Sequence, residues 1–389
     1  MIDMVSVPRF MSPKRVFFVA FAALTVLGHG QPDTSRRRPD AGAFARSLRQ
    51  FREEHGIPGI AAVVLTSESV LNIGVDGVRK LGCVDSIRLG DRFHLGSNAK
   101  AMTGFVAGSL VEEGLISWSA RILDVFPAFA EMARDVYRDR TLRDLLSHRA
   151  RIIPFMSGTD FERLPAFKGS LAEQREAFTG WLLQQEPADV DMARGYQYSN
   201  AGYAIASAML EKVSAKPWER LMVDELFEPL GIDGEFGWPG HSDGNQPWGH
   251  CYDADSQRIC PVDPRGEYQF PDLCEAAGDV SMSIRDYAVF LQANLLGLNG
   301  RDTILKAKTY QFLHTCNDTA MQYSTGWASG EVGGHKVSRH SGSAGTFYCT
   351  AVVFRNKDLA LAIMTNAVRP GIDEAVAELS AKLLRPYLK

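Results

Sequence analysis

The stretch Ser97-Asn98-Ala99-Lys100 places a hydroxyl and an amine three residues apart at the start of an apolar run. On an α-helix, residues i and i+3 share one face, so the lysine amine can reach the serine hydroxyl. Burial lowers the pKa of a lysine, and a neutral amine can accept the proton that a serine does not readily give up. Because a chain of this length contains about one Ser-x-x-Lys by chance, the tetrapeptide needs support from the rest of the sequence.

The composition is that of an ordinary globular chain. Of its 389 residues, 45% are hydrophobic and 23% are charged, which is enough apolar material for one large domain or two lobes. The formal net charge is -4 and no long basic run occurs, so nucleic acid is not a predicted partner. A small uncharged or moderately polar substrate fits this charge balance better than a polyanion.

The N-terminal segment carries a targeting pattern rather than a fold. Lys14 and Arg15 precede an apolar run at 16–27, and small residues follow it. We therefore predict a signal peptide at 1–30 and a flexible linker at 31–40, with export to the periplasm or the medium. The run is too short to span a bilayer as a helix, so no stable membrane span is expected after cleavage. An uncleaved anchor is the alternative.

The six cysteines are compatible with export and do not define a metal site. Cys251 and Cys260 would close a short loop in an oxidising compartment. Neither Cys-x-x-Cys nor His-Glu-x-x-His occurs in the sequence, so no zinc site is predicted. Cys349 lies in a strand-like run and is interpreted as a small buried hydrophobe.

Strand-like patterns lie at both ends of the chain once the N-terminal segment is set aside. Residues 60–65 form an apolar β-branched run that a short turn connects to 70–75, which predicts a hairpin. Residues 346–354 and 359–365 predict a second hairpin, and 336–339 predict one more strand. Together these strands would form one antiparallel sheet.

Apolar residues at helical spacing near both ends predict two helices that cover one face of this sheet. They are Phe44, Leu48 and Phe51 near the start, and Ile372, Val376, Leu379 and Leu383 near the end. Between the ends, helices are predicted at 97–113, 203–213 and 284–296. Thr141 and Asp144 have the spacing of a capping box that opens a further helix.

The predicted fold class is α+β, with an antiparallel sheet flanked by terminal helices and an inserted, mostly helical lobe. The sheet lobe comprises 41–96 and 276–389, the helical lobe comprises 97–275, and together they form one domain at 41–389. The stretch 234–272 is rich in Gly, Pro and Trp and predicts long loops.

Two further motifs supply groups that an activated serine would need. Tyr198-Ser199-Asn200 precedes a predicted helix, and His340-Ser341-Gly342 ends a strand-like run. With the Ser-x-x-Lys stretch, these motifs resemble in order and approximate separation those of the serine β-lactamase and penicillin-binding protein superfamily. The most similar branch is the class C β-lactamase-like group, which includes DD-carboxypeptidases, D-aminopeptidases and esterases.

The resemblance extends beyond the motifs. Residues 91–96, 141–148 and 278–286 are similar to recurrent stretches of that group, and the similarity covers about residues 41–384. It implies the β-lactamase/transpeptidase-like fold and a serine hydrolase that works through an acyl-enzyme. Water would then release the acyl group, and neither a metal nor a cofactor would be required.

The resemblance also implies roles for three catalytic residues. Ser97 would be the nucleophile, at a helix N-terminus where the helix dipole favours developing negative charge. Lys100 would accept the serine proton. Tyr198 would act with that lysine as base and then protonate the leaving group.

A substrate-binding set follows from the same resemblance. Asn200 would orient the lysine or hydrogen-bond a substrate amide. The backbone N–H groups of Ser97 and Ser343 would form the oxyanion hole, next to Gly342 of the third motif. His340 would line the pocket and, if charged, would help to hold a substrate carboxylate.

Two departures from the family pattern bear on the substrate. His340 stands where many β-lactamases have lysine, which favours peptidase or esterase work over efficient antibiotic hydrolysis. Arg149 and Arg151 stand in a turn where relatives usually have small residues, which favours an acidic substrate group. We therefore predict an exported serine hydrolase of DD-peptidase, D-aminopeptidase or esterase type, with at most weak β-lactamase activity.

Two alternatives stay open. The first is a catalytically weak penicillin-binding-like relative that binds cell-wall peptides or serves as a scaffold. The second is the Gly-x-Ser-x-Gly elbow of α/β-hydrolases, which 240–244 matches with Ser242 as nucleophile. That elbow needs a strand before it and a helix after it, whereas Pro239 and Pro247 indicate loops on both sides, so a chance match is favoured.

Overall fold

The computed structural model describes residues 40–388 apart from 157, 163, 192–194, 242–243, 267–269 and 317–321. The described residues belong to one compact unit. The predicted signal peptide, and the predicted linker up to residue 39, lie outside them. In this described part, no helix combines the length and the apolar character that crossing a membrane requires.

The structure is a mixture of strands and helices. Its strands are β1 (Gly59–Leu65), β2 (Val70–Gly77), β3 (Arg92–His94), β4 (Glu235–Phe236), β5 (His250–Asp253), β6 (Arg258–Pro261), β7 (Val280–Ser283), β8 (Ala328–Val332), β9 (His335–Ser343), β10 (Tyr348–Phe354) and β11 (Ala360–Thr365). Its α-helices are α1 (Ala41–His55), α2 (Ala99–Glu112), α3 (Ile122–Val125), α4 (Leu142–Leu146), α5 (Gly158–Phe161), α6 (Leu171–Leu182), α7 (Asn200–Ser214), α8 (Trp218–Met222), α9 (Glu228–Leu230), α10 (Ile284–Leu298), α11 (Ala307–His314) and α12 (Ile372–Leu384). Two 3-10 turns, Gly96–Asn98 and Asp272–Ala277, border the candidate site.

A six-stranded antiparallel sheet joins the two ends of the domain, in the order β2-β1-β11-β10-β9-β8. Strand β1 pairs with β2 in a hairpin and with β11 from the far end of the chain, where Ile60 lies opposite Thr365. Strands β11, β10 and β9 follow as antiparallel neighbours. Both predicted hairpins, the strand predicted at 336–339 and the α+β fold class are confirmed.

The pleat of the central strands explains the two apolar layers that cover this sheet. In β1, Ile60, Ala62 and Val64 pack with the terminal helices, where Leu48 of α1 and Leu379 of α12 are buried. The residues between them point to the opposite face and join the core of the helical part. Because both faces are covered, β1 is apolar throughout instead of alternating with polar residues.

A second, three-stranded sheet leads the chain into the start of α2. Its order is β3-β7-β4, with Phe93 of β3 opposite Met282 of β7. Beyond the end of β3, the Leu95 N–H donates to the Val280 carbonyl at 2.8 Å. The chain is thus held on this sheet until it enters the 3-10 turn Gly96–Asn98 and then α2.

The stretch 234–272 contains more regular structure than the long loops predicted for it. Strand β4 completes the small sheet, and β5 with β6 forms a separate two-stranded hairpin. In this hairpin Cys251 lies opposite Cys260, and both thiols are free. The prediction was wrong here because these strands are two to four residues long and only partly buried, so no apolar pattern marks them.

Candidate active site

Ser97 lies in the 3-10 turn before α2, and its side chain is half-buried. The next residue anchors this turn to the neighbouring elements. Asn98 Nδ2 donates to the carbonyl oxygens of Leu95 at 3.1 Å and of Cys349 at 3.0 Å. Its Oδ1 accepts from the Tyr287 hydroxyl at 2.9 Å. The turn is therefore fixed between β10 and α10, and the position of Ser97 is fixed with it.

Strand β9 passes so close to this turn that only glycine fits on either side. A Cβ added to Gly342 would lie within 3.0 Å of backbone atoms of Ser97 and Leu95. A Cβ added to Gly96 would lie within 3.0 Å of the Ser343 nitrogen, and Gly96 has the left-handed φ of 51° that glycine tolerates. The backbone nitrogens of Ser97 and Ser343 therefore both lie where β9 contacts the turn. An oxyanion hole made of these two N–H groups requires them to be close together.

Lys100 is completely buried, and its amine makes three hydrogen bonds. Nζ lies 2.8 Å from Asn200 Oδ1, 2.7 Å from the Ala277 carbonyl oxygen and 3.1 Å from Ser97 Oγ. The first two partners are carbonyl oxygens that can only accept, so they take two N–H groups of the amine. The hydroxyl can either accept or donate, so the same geometry suits a neutral amine that accepts the serine proton.

The surroundings of Lys100 favour the neutral amine. Burial lowers the pKa of Lys100 well below its ordinary value of 10.5. Nζ lies 4.7 Å from the ring centroid of Tyr198 and 5.4 Å from that of Tyr203. Ring faces and carbonyl oxygens attract an ammonium, and the loss of hydration in this fully buried site outweighs them.

Asn200 begins α7, and its side-chain amide forms hydrogen bonds within the protein. Its Oδ1 accepts from Lys100, and its Nδ2 donates to the Phe155 carbonyl at 2.9 Å. Its backbone N–H donates to the Pro154 carbonyl at 2.8 Å. Both ends of the side-chain amide are occupied, which favours the predicted orienting of Lys100 over a hydrogen bond to a substrate amide.

Tyr198 is half-buried, two residues before the first residue of α7. Burial raises the pKa of Tyr198 well above its ordinary value of 10.0, and a hydrogen bond with the Ser97 side chain offsets part of this effect. The phenol therefore stays protonated at neutral pH. In that state it can donate a proton to a leaving group.

His340 is a buried residue of β9 whose two ring nitrogens are both used. Nδ1 lies 2.8 Å from the Ser341 carbonyl oxygen and so carries the proton, while Nε2 accepts from the Tyr323 hydroxyl at 2.8 Å. Burial, with a further effect of the nearby Lys100, lowers the pKa of His340 to about 3. The ring is therefore neutral at physiological pH, and the charged state in which it would hold a substrate carboxylate is not reached.

The loop after α4 carries the two arginines noted in the sequence. His148 and Arg151 have φ of 62° and 61°, which is uncommon away from glycine. Arg151 Nε donates to the Ala188 carbonyl at 3.1 Å. Nε and Nη2 of Arg149 are buried and have no hydrogen-bond partner in the described part of the chain. Arg151 thus forms a hydrogen bond with the protein's own backbone. The preference for an acidic substrate group stays a prediction.

The alternative nucleophile Ser242 lies outside the described residues. On the described side before it, β4 ends at Phe236 and a turn follows. On the described side after it, the chain is irregular from Gly244 until β5 begins at His250. These flanks lack the strand-to-helix turn of an α/β-hydrolase elbow.

Sequence reasoning missed three residues that build this site. Asn98 holds the turn of Ser97, Tyr323 holds the ring of His340, and Ala277 accepts from Lys100. Tyr323 lies four residues before Trp327, and this aromatic pair around a glycine was the available signal. Ala277 acts through its backbone carbonyl, so its side chain carries no signal at all.

A buried charge cluster supports the 3-10 turn that supplies the Ala277 carbonyl. Arg175 is fully buried and contacts Glu211 at 2.6 Å, Glu275 at 2.5 Å and also Glu219. Three carboxyl groups thus share one guanidinium. Burial and the neighbouring Glu219 raise the pKa of Glu275 well above its usual range, so Glu275 keeps its proton at neutral pH.

The fold and the site together define a class of protein. An antiparallel sheet with terminal helices on one face, helices on the other, and a serine before the central helix are the features of serine hydrolases with the β-lactamase/transpeptidase fold. The chain belongs to the Beta-lactamase family, whose sequence model matches residues 44–384. The resemblance stated from the motifs is thereby confirmed, and so is the assignment of the chain to a family of serine hydrolases.

Similar proteins support the same assignment. Penicillin-binding protein 4 of Amycolatopsis lactamdurans is 29% identical over 185 residues, which cover 47% of this chain and 45% of that protein. An unguisins hydrolase of Aspergillus violaceofuscus is 27% identical over 270 residues, which cover 66% of this chain and 45% of that protein. The chain thus spans less than half the length of these curated relatives.

The fold has a close counterpart among solved structures. A class C β-lactamase from Rhodobacter sphaeroides matches with a TM-score of 0.69 at 18% identity, covering 90% of this chain and 100% of that chain. At this level of identity, the match establishes the fold alone.

Proposed function

We propose that this chain forms an acyl-enzyme on Ser97 and then transfers the acyl group to water. The observation that carries the proposal is the position of the Lys100 amine, 3.1 Å from Ser97 Oγ in a fully buried site. Its two other partners, Asn200 Oδ1 and the Ala277 carbonyl, can only accept hydrogen bonds. A neutral amine held in this way has its lone pair available for the serine proton.

Acylation begins when the Lys100 amine takes the Ser97 proton and Oγ bonds to the substrate carbonyl carbon. The π-electron pair of the carbonyl moves to its oxygen, where the N–H groups of Ser97 and Ser343 stabilise the negative charge. Collapse of this oxyanion breaks the bond to the leaving amine or alcohol. Tyr198 gives the leaving group its phenolic proton, and the Lys100 ammonium replaces that proton. Water then attacks the ester by the same route and regenerates the free serine.

The substrate we propose is a small-molecule or peptide amide or ester. The neutral His340 ring provides no cation at the position where many β-lactamases have lysine. Substrates with a carboxylate at that point therefore lose a charge partner. Among the three predicted types, this favours the D-aminopeptidase and esterase types over DD-carboxypeptidase or efficient β-lactamase activity.

A substrate panel tests this proposal. The full chain is assayed with D-alanine p-nitroanilide, short p-nitrophenyl esters, a D-alanyl-D-alanine peptide and nitrocefin, with Ser97→Ala as the matched control. We expect turnover of the amide or the esters to exceed that of the other two, and to be lost in the control. Stable acylation without turnover of any substrate would indicate the binding-protein alternative. Turnover that persists in Ser97→Ala would refute the proposal.

We also propose that 1–30 is a signal peptide removed on export, that 31–40 is a linker and that 41–389 is the hydrolase domain. The family match begins at residue 44, beyond these N-terminal segments, which supports the division. Expression with the natural N-terminus followed by N-terminal sequencing of the exported chain tests it. The mature chain should begin near residue 31, whereas retention of the first thirty residues would indicate the anchor alternative.

A further inference from the structure

His148 is a buried residue outside the predicted catalytic set, and it contacts the segment of Tyr198 through both backbone and side chain. It follows the C-terminal end of α4 and is 2% exposed. Its φ of 62° is unusual for histidine, and such a conformation persists only where the surroundings hold it.

The peptide N–H groups on either side of Tyr198 both donate to this one residue. The Gln197 nitrogen lies 3.1 Å from the His148 carbonyl oxygen, and the Ser199 nitrogen lies 3.2 Å from His148 Nδ1. Because Nδ1 accepts, the ring proton is on Nε2 and the ring is neutral. Burial lowers the pKa of His148 well below its ordinary value of 6.5, which agrees with that state.

The ring of His148 also packs against the tyrosine itself. Its centroid lies 4.2 Å from that of Tyr198, 4.5 Å from that of Tyr323 and 5.3 Å from that of Tyr203. Nε2 is buried and has no hydrogen-bond partner among the described residues. A buried N–H without an acceptor is unfavourable, so the ring occupies this place at a cost that its contacts with the tyrosines must offset.

We propose that His148 is the positioning residue for Tyr198, holding the two flanking peptide groups and the phenol ring in place beside Ser97 and Lys100. The inference rests on the proposed function of Tyr198 as proton donor. A left-handed backbone at His148 is what allows its carbonyl and its ring to reach opposite sides of one residue. Displacing the phenol would then slow proton transfer without changing how tightly the substrate binds.

Acylation of the full chain by a labelled penicillin, whose β-lactam nitrogen must take up a proton when its bond to the carbonyl carbon breaks, tests the proposal. His148→Ala should lower the saturating acylation rate about 10-fold to 100-fold, with little change in the half-saturating probe concentration. The loss should be only part of the contribution of general acid–base catalysis, because Tyr198 is displaced and not removed. His148→Asn keeps an acceptor near Nδ1 and tolerates a positive φ, so it should restore most of the rate. His148→Phe keeps a ring without the acceptor and should not.

Two controls separate positioning from general loss of structure. His250→Ala removes another fully buried histidine, on β5, and should lower thermal stability while leaving the saturating rate unchanged. In the double variant His148→Ala with Tyr198→Phe, acylation should be no slower than in Tyr198→Phe alone, because one residue acts through the other. Additive losses would overturn the inference.

The fluorine resonance of Tyr198 reports the position of its ring without any need for enzymatic activity. In protein labelled with 3-fluorotyrosine, the Tyr198 resonance is assigned by its disappearance in Tyr198→Phe. His148→Ala should shift and broaden that resonance while leaving the resonance of Tyr387, which contacts Asn72 and is assigned in the same way, unchanged. An unchanged Tyr198 resonance would overturn the positioning role. Lack of acylation in the wild-type chain would count against the proposed function alone.

Discussion

Gly342 and Gly96 lie back to back, so that neither position has room for a side chain. An added Cβ on either one would come within 3.0 Å of the opposite backbone, including the nitrogens of Ser97 and Ser343. This contact joins β9 to the turn before α2 and brings the two predicted oxyanion donors together. The geometry of the site therefore depends on a backbone contact as much as on its side chains.

Gly342→Ala should reduce acylation of Ser97 by about 10²-fold or more, the loss typical of removing one oxyanion donor, because the added methyl group pushes Ser97 away. The measurement is the probe-labelling rate at saturation, with circular dichroism to confirm folding. Gly90→Ala is the matched control, since a Cβ there has nothing within 4 Å. Equal rates for the wild type and Gly342→Ala would argue against an oxyanion hole at this contact.

The acid limb of the acylation rate should report Lys100. Burial lowers the pKa of Lys100, and only the neutral amine can accept the Ser97 proton. The rate should therefore rise with pH through this lowered pKa and level off well below pH 10.5, the ordinary lysine value. Lys100→Arg, which cannot lose its charge, should be strongly slowed across the whole range. A limb centred near the ordinary lysine value would contradict a neutral Lys100.

Asn200→Asp should move that acid limb to higher pH. It places a carboxylate where an amide oxygen now lies 2.8 Å from Lys100 Nζ, and this charge stabilises the ammonium. Asn200→Ala removes the same acceptor without adding charge, so it should lower the plateau rate and leave the limb close to its wild-type position. The pH profiles of the two variants check this, and coincident limbs would show that Asn200 does not act on the lysine.

Glu275→Gln should become progressively more stable than the wild type as pH rises. The pKa of Glu275 in the folded state lies well above the unfolded value of 4.5. Between these two pKa values, the folded state keeps a proton on Glu275 that the unfolded state has lost. Its contribution to stability is full below the unfolded pKa and is lost as pH rises through the folded one. Glutamine mimics the protonated carboxyl, and the difference should grow by at most about 1.4 kcal/mol per pH unit.

Urea unfolding between pH 5 and pH 9 measures this difference. Glu176→Gln is the control, because Glu176 is an exposed carboxylate paired with Lys212. Its effect should be small and nearly independent of pH. A pH-independent difference for Glu275→Gln as well would mean that Glu275 is ionised beside Arg175.

Much of the fold was predictable because it depends on local patterns. The apolar runs of β1 and β11 and the stripes of α1 and α12 are visible in short windows of sequence, and the sheet that they form follows from them. The hairpin of β5 and β6 was not predictable in this way. Its strands are too short and too exposed for hydrophobic periodicity to reveal them.

The residues of the site could be predicted from local motifs, whereas their protonation and their backbone partners could not. Ser97, Lys100, Tyr198 and Asn200 could be chosen from their motifs, and the structure does bring them together. Whether His340 is charged could not be read from the sequence, because burial beside Tyr323 decides it. Sequence motifs do not predict contacts that depend on tertiary burial or on backbone atoms.

Mapping a covalent adduct shows whether Ser97 is the nucleophile and whether Lys100 activates it. The full chain is treated with a fluorophosphonate, which phosphonylates serine, or with a labelled penicillin, which acylates it, and intact mass followed by peptide mapping locates the modified residue. We expect one adduct per chain, on Ser97, that is absent in Ser97→Ala and forms much more slowly in Lys100→Arg. An adduct on Ser242, or the same adduct yield in Ser97→Ala, would contradict it.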